Sequence, residues 1–162
     1  MHATPPPPTS NARFEAFSAA LKRAGYRLTP QRLAICEYLA NSREHPSPAE
    51  VYDHVRKRYP TMSRATVYNT LNVLRDLGEI IEIRSGAEGV RYETDLTPHA
   101  NLICLRCGRI IDLPLARLDA IRKDMIEAAG FELRGFRVDG FGLCAECRKQ
   151  AARTKDADRK KR

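Results

Sequence analysis

The sequence predicts an α+β protein built as two small domains, and three observations predict it. Four helix signals crowd the first half of the chain, the pattern switches to period two after Gly78, and four of the five cysteines form two Cys-x-x-Cys pairs in the second half. The 162 residues suffice for one compact domain or two small ones, each with a core, and exclude a large multidomain machine. Composition is 43% hydrophobic and 30% charged, an ordinary soluble profile. No apolar run approaches the roughly 18 residues that span a bilayer, so no membrane partner is expected. The 28 Lys+Arg against 20 Asp+Glu give +8, a field that favours polyanions. Charge alone does not separate nucleic acid from an acidic protein partner.

The elements follow in chain order. Pro5-Pro6-Pro7-Pro8-Thr9-Ser10 carries no packing residues, and 1–11 reads as an extended leader without the apolar core of a signal peptide. Phe14, Phe17, Leu21 and Ala24 recur at helical spacing until Gly25. Thr29-Pro30 opens a second helix, Thr as N-cap and Pro at the first helical position, with Leu33, Ile35, Cys36 and Leu39 as its apolar positions. Ser47-Pro48-Ala49-Glu50 is a capping box leading into Val51, Tyr52 and Val55. Ser63 caps a fourth helix, where Val67, Leu71 and Leu74 form one stripe until Gly78. Ile81-Glu82-Ile83-Arg84, a turn over Gly86 to Gly89, and Val90-Arg91-Tyr92 then describe a hairpin. Helices followed by a hairpin describe a winged helix, assigned to 12–95.

The next stretch, 96–150, repeats neither pattern. It reads as a strand around Leu102, a strand over Ile110 to Leu113, a helix from about Leu115 to Ala129 ended by Gly130, and strands from Phe131 onward. The boundary falls near Leu96-Thr97-Pro98, and 151–162 is a charged, solvated tail.

On the fourth helix, Arg64, Tyr68, Asn72 and Arg75 share the face opposite the apolar stripe, with Asn69 beside them. Arg and Asn make bidentate contacts to base edges, and Tyr bonds a phosphate or packs on a thymine methyl. Any solvated helix face carries such residues. The preceding helix, the following hairpin and the positive charge are what tip this one toward DNA.

Cys104-Leu105-Arg106-Cys107 and Cys144-Ala145-Glu146-Cys147 each offer two thiolates, together a tetrahedral zinc shell. Thirty-six residues (108–143) separate the pairs, so the metal clamps a whole small subdomain. A thioredoxin-like redox pair is the alternative, disfavoured by two matched pairs without a βαβ pattern. A reduced cytoplasm and a metal are expected rather than disulfides. Cys36 reads as buried packing. A second constellation, His45, Glu93, His99, Asn101 and Asp112, offers imidazole and oxygen donors that suit Fe, Mn, Zn or Ni. Scattered histidines are more often structural; convergence of these five would bridge the two halves of the chain.

Taken together, these residues resemble the ferric uptake regulator family of bacterial metal-dependent repressors. The matching stretches are Gly25 to Arg32, His45-Pro46-Ser47 with Val51-Tyr52, Ala65 to Leu71, His99 to Cys104 through Cys107-Gly108, and the Cys144/Cys147 pair, covering roughly 14–148 in family order. The resemblance implies an N-terminal winged-helix DNA-binding domain, a C-terminal α/β dimerisation domain, structural Zn2+ on Cys104, Cys107, Cys144 and Cys147, and a regulatory metal at the hinge. It supports Tyr68 as a DNA contact, with Arg64 and Asn69 as its neighbours; Asn72, from the helix face alone, completes the candidate DNA contacts. Asn69 where many iron sensors carry Arg, and Asp112 where iron-uptake repressors more often have Glu, are similar to the peroxide-sensing branch. In that branch the hinge ligands correspond to His45, Glu93, His99, Asn101 and Asp112, holding Fe2+ or Mn2+. Glu93 stands where that branch usually has Asp, and Asn101 where a second His is common. A further family metal site would need ligands at Ala100 and Phe136, which supply none, and the Cys-Pro pair of haem-responsive relatives is missing.

The resulting expectation is a cytoplasmic homodimeric repressor, bound to a palindromic operator on double-stranded DNA and probed by peroxide through His45 and His99. The alternatives are a reversible iron, manganese or zinc sensor of the same family and, from another class, a zinc-stabilised protein-interaction module. An enzyme would need an open metal position beside a base, or an exposed low-pKa thiol, and four closed cysteines offer neither.

Overall fold

The computed structural model describes residues 8–42, 44–84, 89–97, 99–115, 117–130 and 137–151. Most of the leader, the hairpin turn from Gly86 to Glu88, Pro98 at the expected boundary, Phe131 to Phe136 and the tail from Ala152 lie outside the described residues. The described chain forms two compact units, an N-terminal one over 8–84 and 89–97 and a C-terminal one over 99–151.

In the N-terminal unit, α1 runs Ser10–Arg23, α2 Pro30–Asn41, α3 Pro48–Val55 and α4 Arg64–Asp76. The helix starts obey local capping chemistry. Thr9, Thr29, Ser47 and Ser63 each accept an amide hydrogen of the first turn on their hydroxyl oxygen, and Glu50 returns to the Ser47 amide at 2.6 Å. The Thr9 cap starts α1 inside the stretch read as leader, because its hydroxyl satisfies the Ala12 amide. Gly25 closes α1 at φ +81°, which lets the Tyr26 amide reach back to the Leu21 carbonyl at 2.9 Å. Val67, Leu71 and Leu74 of α4 are fully buried against Leu21, Ile35 and Leu39. Thr70, also buried on α4, satisfies its hydroxyl on the Thr66 carbonyl at 2.8 Å. The antiparallel pair β1 (Ile81–Arg84) and β2 (Val90–Glu93) follows as the wing.

In the C-terminal unit, β3 (Ala100–Cys104) is the middle strand of three, antiparallel to β4 (Ile110–Leu113) and parallel to β5 (Val138–Gly142). Between β4 and β5 in sequence lies α5 (Leu118–Ala129), and a short helix at 145–151 closes the unit. The helix expected from about Leu115 begins three residues later: Arg117 stands at the N-cap with no side-chain hydrogen bond, since no Ser, Thr, Asp or Asn is available there. Register decides which faces the strands present. Asn101 lies opposite Asp112 on one side and Asp139 on the other, while Leu102 lies opposite Ile111 and Gly140. One face is therefore polar around Asn101, and the other carries Leu102, Ile111 and Leu113, all exposed.

Candidate metal centres and nucleic-acid face

The two Cys-x-x-Cys pairs converge. Cys104 ends β3, Cys107 follows through the turn closed by the Gly108 amide on the Cys104 carbonyl at 2.9 Å, and Cys144 and Cys147 bracket the start of the last helix. Gly108 takes φ +65°, a conformation that side chains disfavour. All four sulfurs lie within 4.8 Å of one another, and Cys107 Sγ and Cys144 Sγ are 3.8 Å apart. A tetrahedral zinc with bonds of about 2.3 Å sets sulfurs about 3.8 Å apart, so the cage already has the required size. Amides also prepare it: the Cys144 amide donates to Cys104 Sγ at 3.3 Å and the Cys147 amide to Cys144 Sγ at 3.5 Å. The Cys104 thiol is drawn down to about 6, first by the Cys144 amide and then by that of Cys107. Cys147 moves the other way, to about 12, because burial penalises its thiolate and the neighbouring thiols add to the cost. A dication at the centre reverses that cost, which is why such sites close on metal. Cys36 stands apart on α2, fully buried and pushed up to about 12 by that burial, an inert packing thiol.

The imidazole and carboxylate residues form pairs within each unit. In the N-terminal unit His45, just ahead of α3, meets Glu93 at the end of β2, with Nε2 2.7 Å from Oε2. Both are buried, and the other carboxylate oxygen of Glu93 accepts the Asp95 amide at 2.6 Å. Arg91 donates to the His45 carbonyl at 2.9 Å, and the Tyr92 amide to that of Pro46, also on the segment that carries the imidazole. In the C-terminal unit His99 Nε2 lies 3.9 Å from Asp112 Oδ1. Asn101 shares their face, is 1% exposed, and its Oδ1 has no hydrogen-bond partner among the described residues. Each unit thus offers imidazole and oxygen donors of the kind that suit a hard or borderline divalent ion, and an unengaged amide oxygen is an available lone pair for a cation. Ala100, the one described position of the further family site, is buried on β3 and supplies no ligand atom.

The outer face of α4 carries Arg64, Tyr68 and Asn69 exposed and Asn72 partly exposed, with Tyr68 at 45%. Arg75, on the same face, is tied instead to Asp76 at 2.9 Å and to Glu82 of the wing at 3.1 Å, so its charge is offset within the fold. Sequence reading missed a partner for Arg64. Its guanidinium lies 4.6 Å from the ring centre of Tyr52 on α3, with that of Arg56 at 5.5 Å from the same ring. Stacking on an aromatic face holds an arginine extended. No spacing within α3 or α4 announces it.

Four helices followed by a two-stranded wing, in a chain whose second unit gathers four cysteine sulfurs at metal-binding spacing, define a winged-helix protein with a candidate metal cage. Comparison with known proteins agrees. Residues 23–140 match the ferric uptake regulator family. The peroxide operon regulator of Bacillus subtilis is 38% identical over 80% of this chain and 90% of its own length. The peroxide-responsive repressor PerR of Staphylococcus epidermidis is 35% identical over 85% of this chain and 91% of its own. Among solved structures, the ferric uptake regulator Fur of Helicobacter pylori, described with three functional metal binding sites, superposes with a TM-score of 0.72 at 26% identity, covering 91% of this chain and 97% of that one. This chain belongs to the ferric uptake regulator family.

Proposed function

We propose that this chain is a metal-dependent, homodimeric transcriptional repressor that responds to peroxide. The observation that carries the reading is the donor set: a buried His45–Glu93 pair in one unit, and in the other a His99–Asp112 pair beside a buried amide oxygen with no partner among the described residues. The peroxide-responsive names of the B. subtilis and S. epidermidis relatives support the same signal. His45 and Glu93 hold Fe2+ or Mn2+ from the N-terminal unit, and His99, Asn101 and Asp112 hold it from the C-terminal unit. Binding then selects the arrangement in which two recognition helices match the half-sites of a palindromic operator. Arg64, Tyr68, Asn69 and Asn72 contact the DNA. Zn2+ on the four cysteines keeps the C-terminal unit folded, and the exposed face of Leu102, Ile111 and Leu113 packs against a second copy. Among the described residues no helix is long and apolar enough to cross a membrane, and the reading places the chain in the cytoplasm, acting as a regulator rather than an enzyme.

Ferrous iron held there would supply the redox chemistry that activates hydrogen peroxide. The ring of His45 or His99 would take up one oxygen atom of the peroxide in a two-electron oxidation, the other oxygen leaving as water, and the oxidised ring, less basic as a ligand, would release the clamp. The test loads the zinc-containing dimer anaerobically with Fe2+ or Mn2+, adds peroxide, and follows operator binding by gel shift alongside peptide mass spectrometry. Iron-dependent gain of oxygen on His45 or His99, with loss of a salt-sensitive DNA complex, is expected. Unmodified histidines with unchanged binding would leave a reversible iron, manganese or zinc sensor.

A further inference from the structure

The Asn101 amide is engaged at one end only. Its Nδ2 donates to Asp139 Oδ1 over a long 3.4 Å, while its Oδ1 finds no partner among the described residues. Leaving a buried carbonyl unsatisfied is costly, so the orientation needs a reason. Register supplies part of it: Asp112 on β4, Asn101 on β3 and Asp139 on β5 stand in one row across the sheet face that also carries His99. Chemistry supplies the rest. An amide has two ends of nearly identical shape, and only its hydrogen-bond partners decide which points where. A carboxylate can only accept, so it takes the NH2 end and turns the carbonyl end away. Arg137 holds that carboxylate, with Nε at 2.9 Å and Nη2 at 2.6 Å from Asp139 Oδ2, and offsets its charge. Asp139 is 14% exposed at its side chain, well enough enclosed to keep the pair in place.

We infer that Asp139, backed by Arg137, is a positioning residue that locks the Asn101 amide so that its Oδ1 serves as a ligand oxygen of the regulatory ion. The inference rests on the regulatory-metal reading above. A flipped amide would point two N–H donors at a cation and lose the ligand. An amide oxygen rather than a nitrogen at this position makes the donor set harder and shifts preference from Zn2+ toward Mn2+ and Fe2+.

The experiment uses the full chain with its structural zinc, titrated with Mn2+ under nitrogen and followed by calorimetry and by the electron-spin signal of free Mn2+. The wild-type chain is expected to take one Mn2+ per chain. Asp139→Ala is expected to weaken it about tenfold or more, the usual effect of losing an outer partner of a metal ligand, and Asn101→Ala, which removes the ligand oxygen itself, at least as much. The double variant should be no weaker than Asn101→Ala alone, because Asp139 acts only through that amide. Independently of metal, the side-chain NH2 resonances of Asn101 in Mn2+-free protein should show one proton shifted downfield, and Asp139→Ala should abolish the shift. The isosteric Asp139→Asn, which removes the enforced orientation but keeps the packing, should also weaken Mn2+ and serves where Asp139→Ala does not fold. No Mn2+ uptake by wild type would overturn the regulatory-metal reading and this inference with it. Normal uptake by wild type with affinity within twofold in both Asp139 variants, or additive losses in the double variant, would overturn the inference and leave that reading standing.

Discussion

Replacing Cys144 by Ser, or stripping zinc from the four cysteines with a strong chelator, should unfold the C-terminal unit while the winged helix stays folded. The two units have unequal means of holding themselves together. The N-terminal unit buries Leu21, Ile35, Leu39, Val67, Leu71 and Leu74 completely, whereas the large buried aliphatic side chains described in the C-terminal unit are Ile103 and Leu118, each 2% exposed. Two such side chains contribute about 3–6 kcal/mol. Structural zinc in small metallo-domains contributes about 10–16 kcal/mol, which matches or exceeds the whole stability of a typical domain, about 5–15 kcal/mol. Cys144 is a sensitive place to cut, because its sulfur lies 3.8 Å from that of Cys107 and also accepts the Cys147 amide. Thermal melts combined with amide NMR spectra of wild-type, chelated and Cys144→Ser protein provide the measurement. Resonances from 99–151 should collapse to random-coil positions while those of α1 to α4 stay dispersed and melt cooperatively near the wild-type temperature. Dispersed Ile103 and Leu118 signals in zinc-free protein, with an unshifted melting transition, would refute the reasoning.

Three further outcomes follow from the same structure. Leu71→Ala, at the fully buried centre of the α4 stripe, should cost about 2–5 kcal/mol in denaturant titrations of the winged helix. Asn69→Ala should weaken operator binding by about 1–3 kcal/mol while leaving binding to unrelated DNA nearly unchanged; equal losses on both would recast Asn69 as a phosphate contact. Tyr52→Leu should lower operator affinity by about 0.5–1 kcal/mol, and none of that loss should remain in an Arg64→Ala background if stacking is how Tyr52 acts.

Much of the candidate site was legible because it depends on short-range rules. The Cys-x-x-Cys loops bring two sulfurs to one side by backbone geometry alone, and the second pair then has one chemically sensible partner. The α4 face was readable for a similar reason: Val67, Leu71 and Leu74 mark the inside, so Tyr68 and Asn69 must be outside. Arg75 shows the limit. Helical spacing places it with Arg64 and Tyr68, yet Glu82, seven residues on and across the turn into the wing, claims its guanidinium. Spacing along one helix carries no information about a carboxylate on the next element.

What the sequence by itself determined is local: three hydroxyl caps, one of them a capping box, an apolar stripe of helical period, a switch to period two, and thiolate pairs at metal spacing. These interactions close within about four residues, so neighbours along the chain decide them. Tertiary structure alone decided that Glu93 meets His45 across 48 residues and that Tyr52 supports Arg64. It also placed Asp139, rather than a hydrophobic residue, beside Asn101 across 38 residues. The last of these depends on strand register, where a one-residue slip would send Asp139 to the opposite face and put Val138 or Gly140 beside the amide. Register is set by the packing of the whole sheet, and no window of sequence contains it.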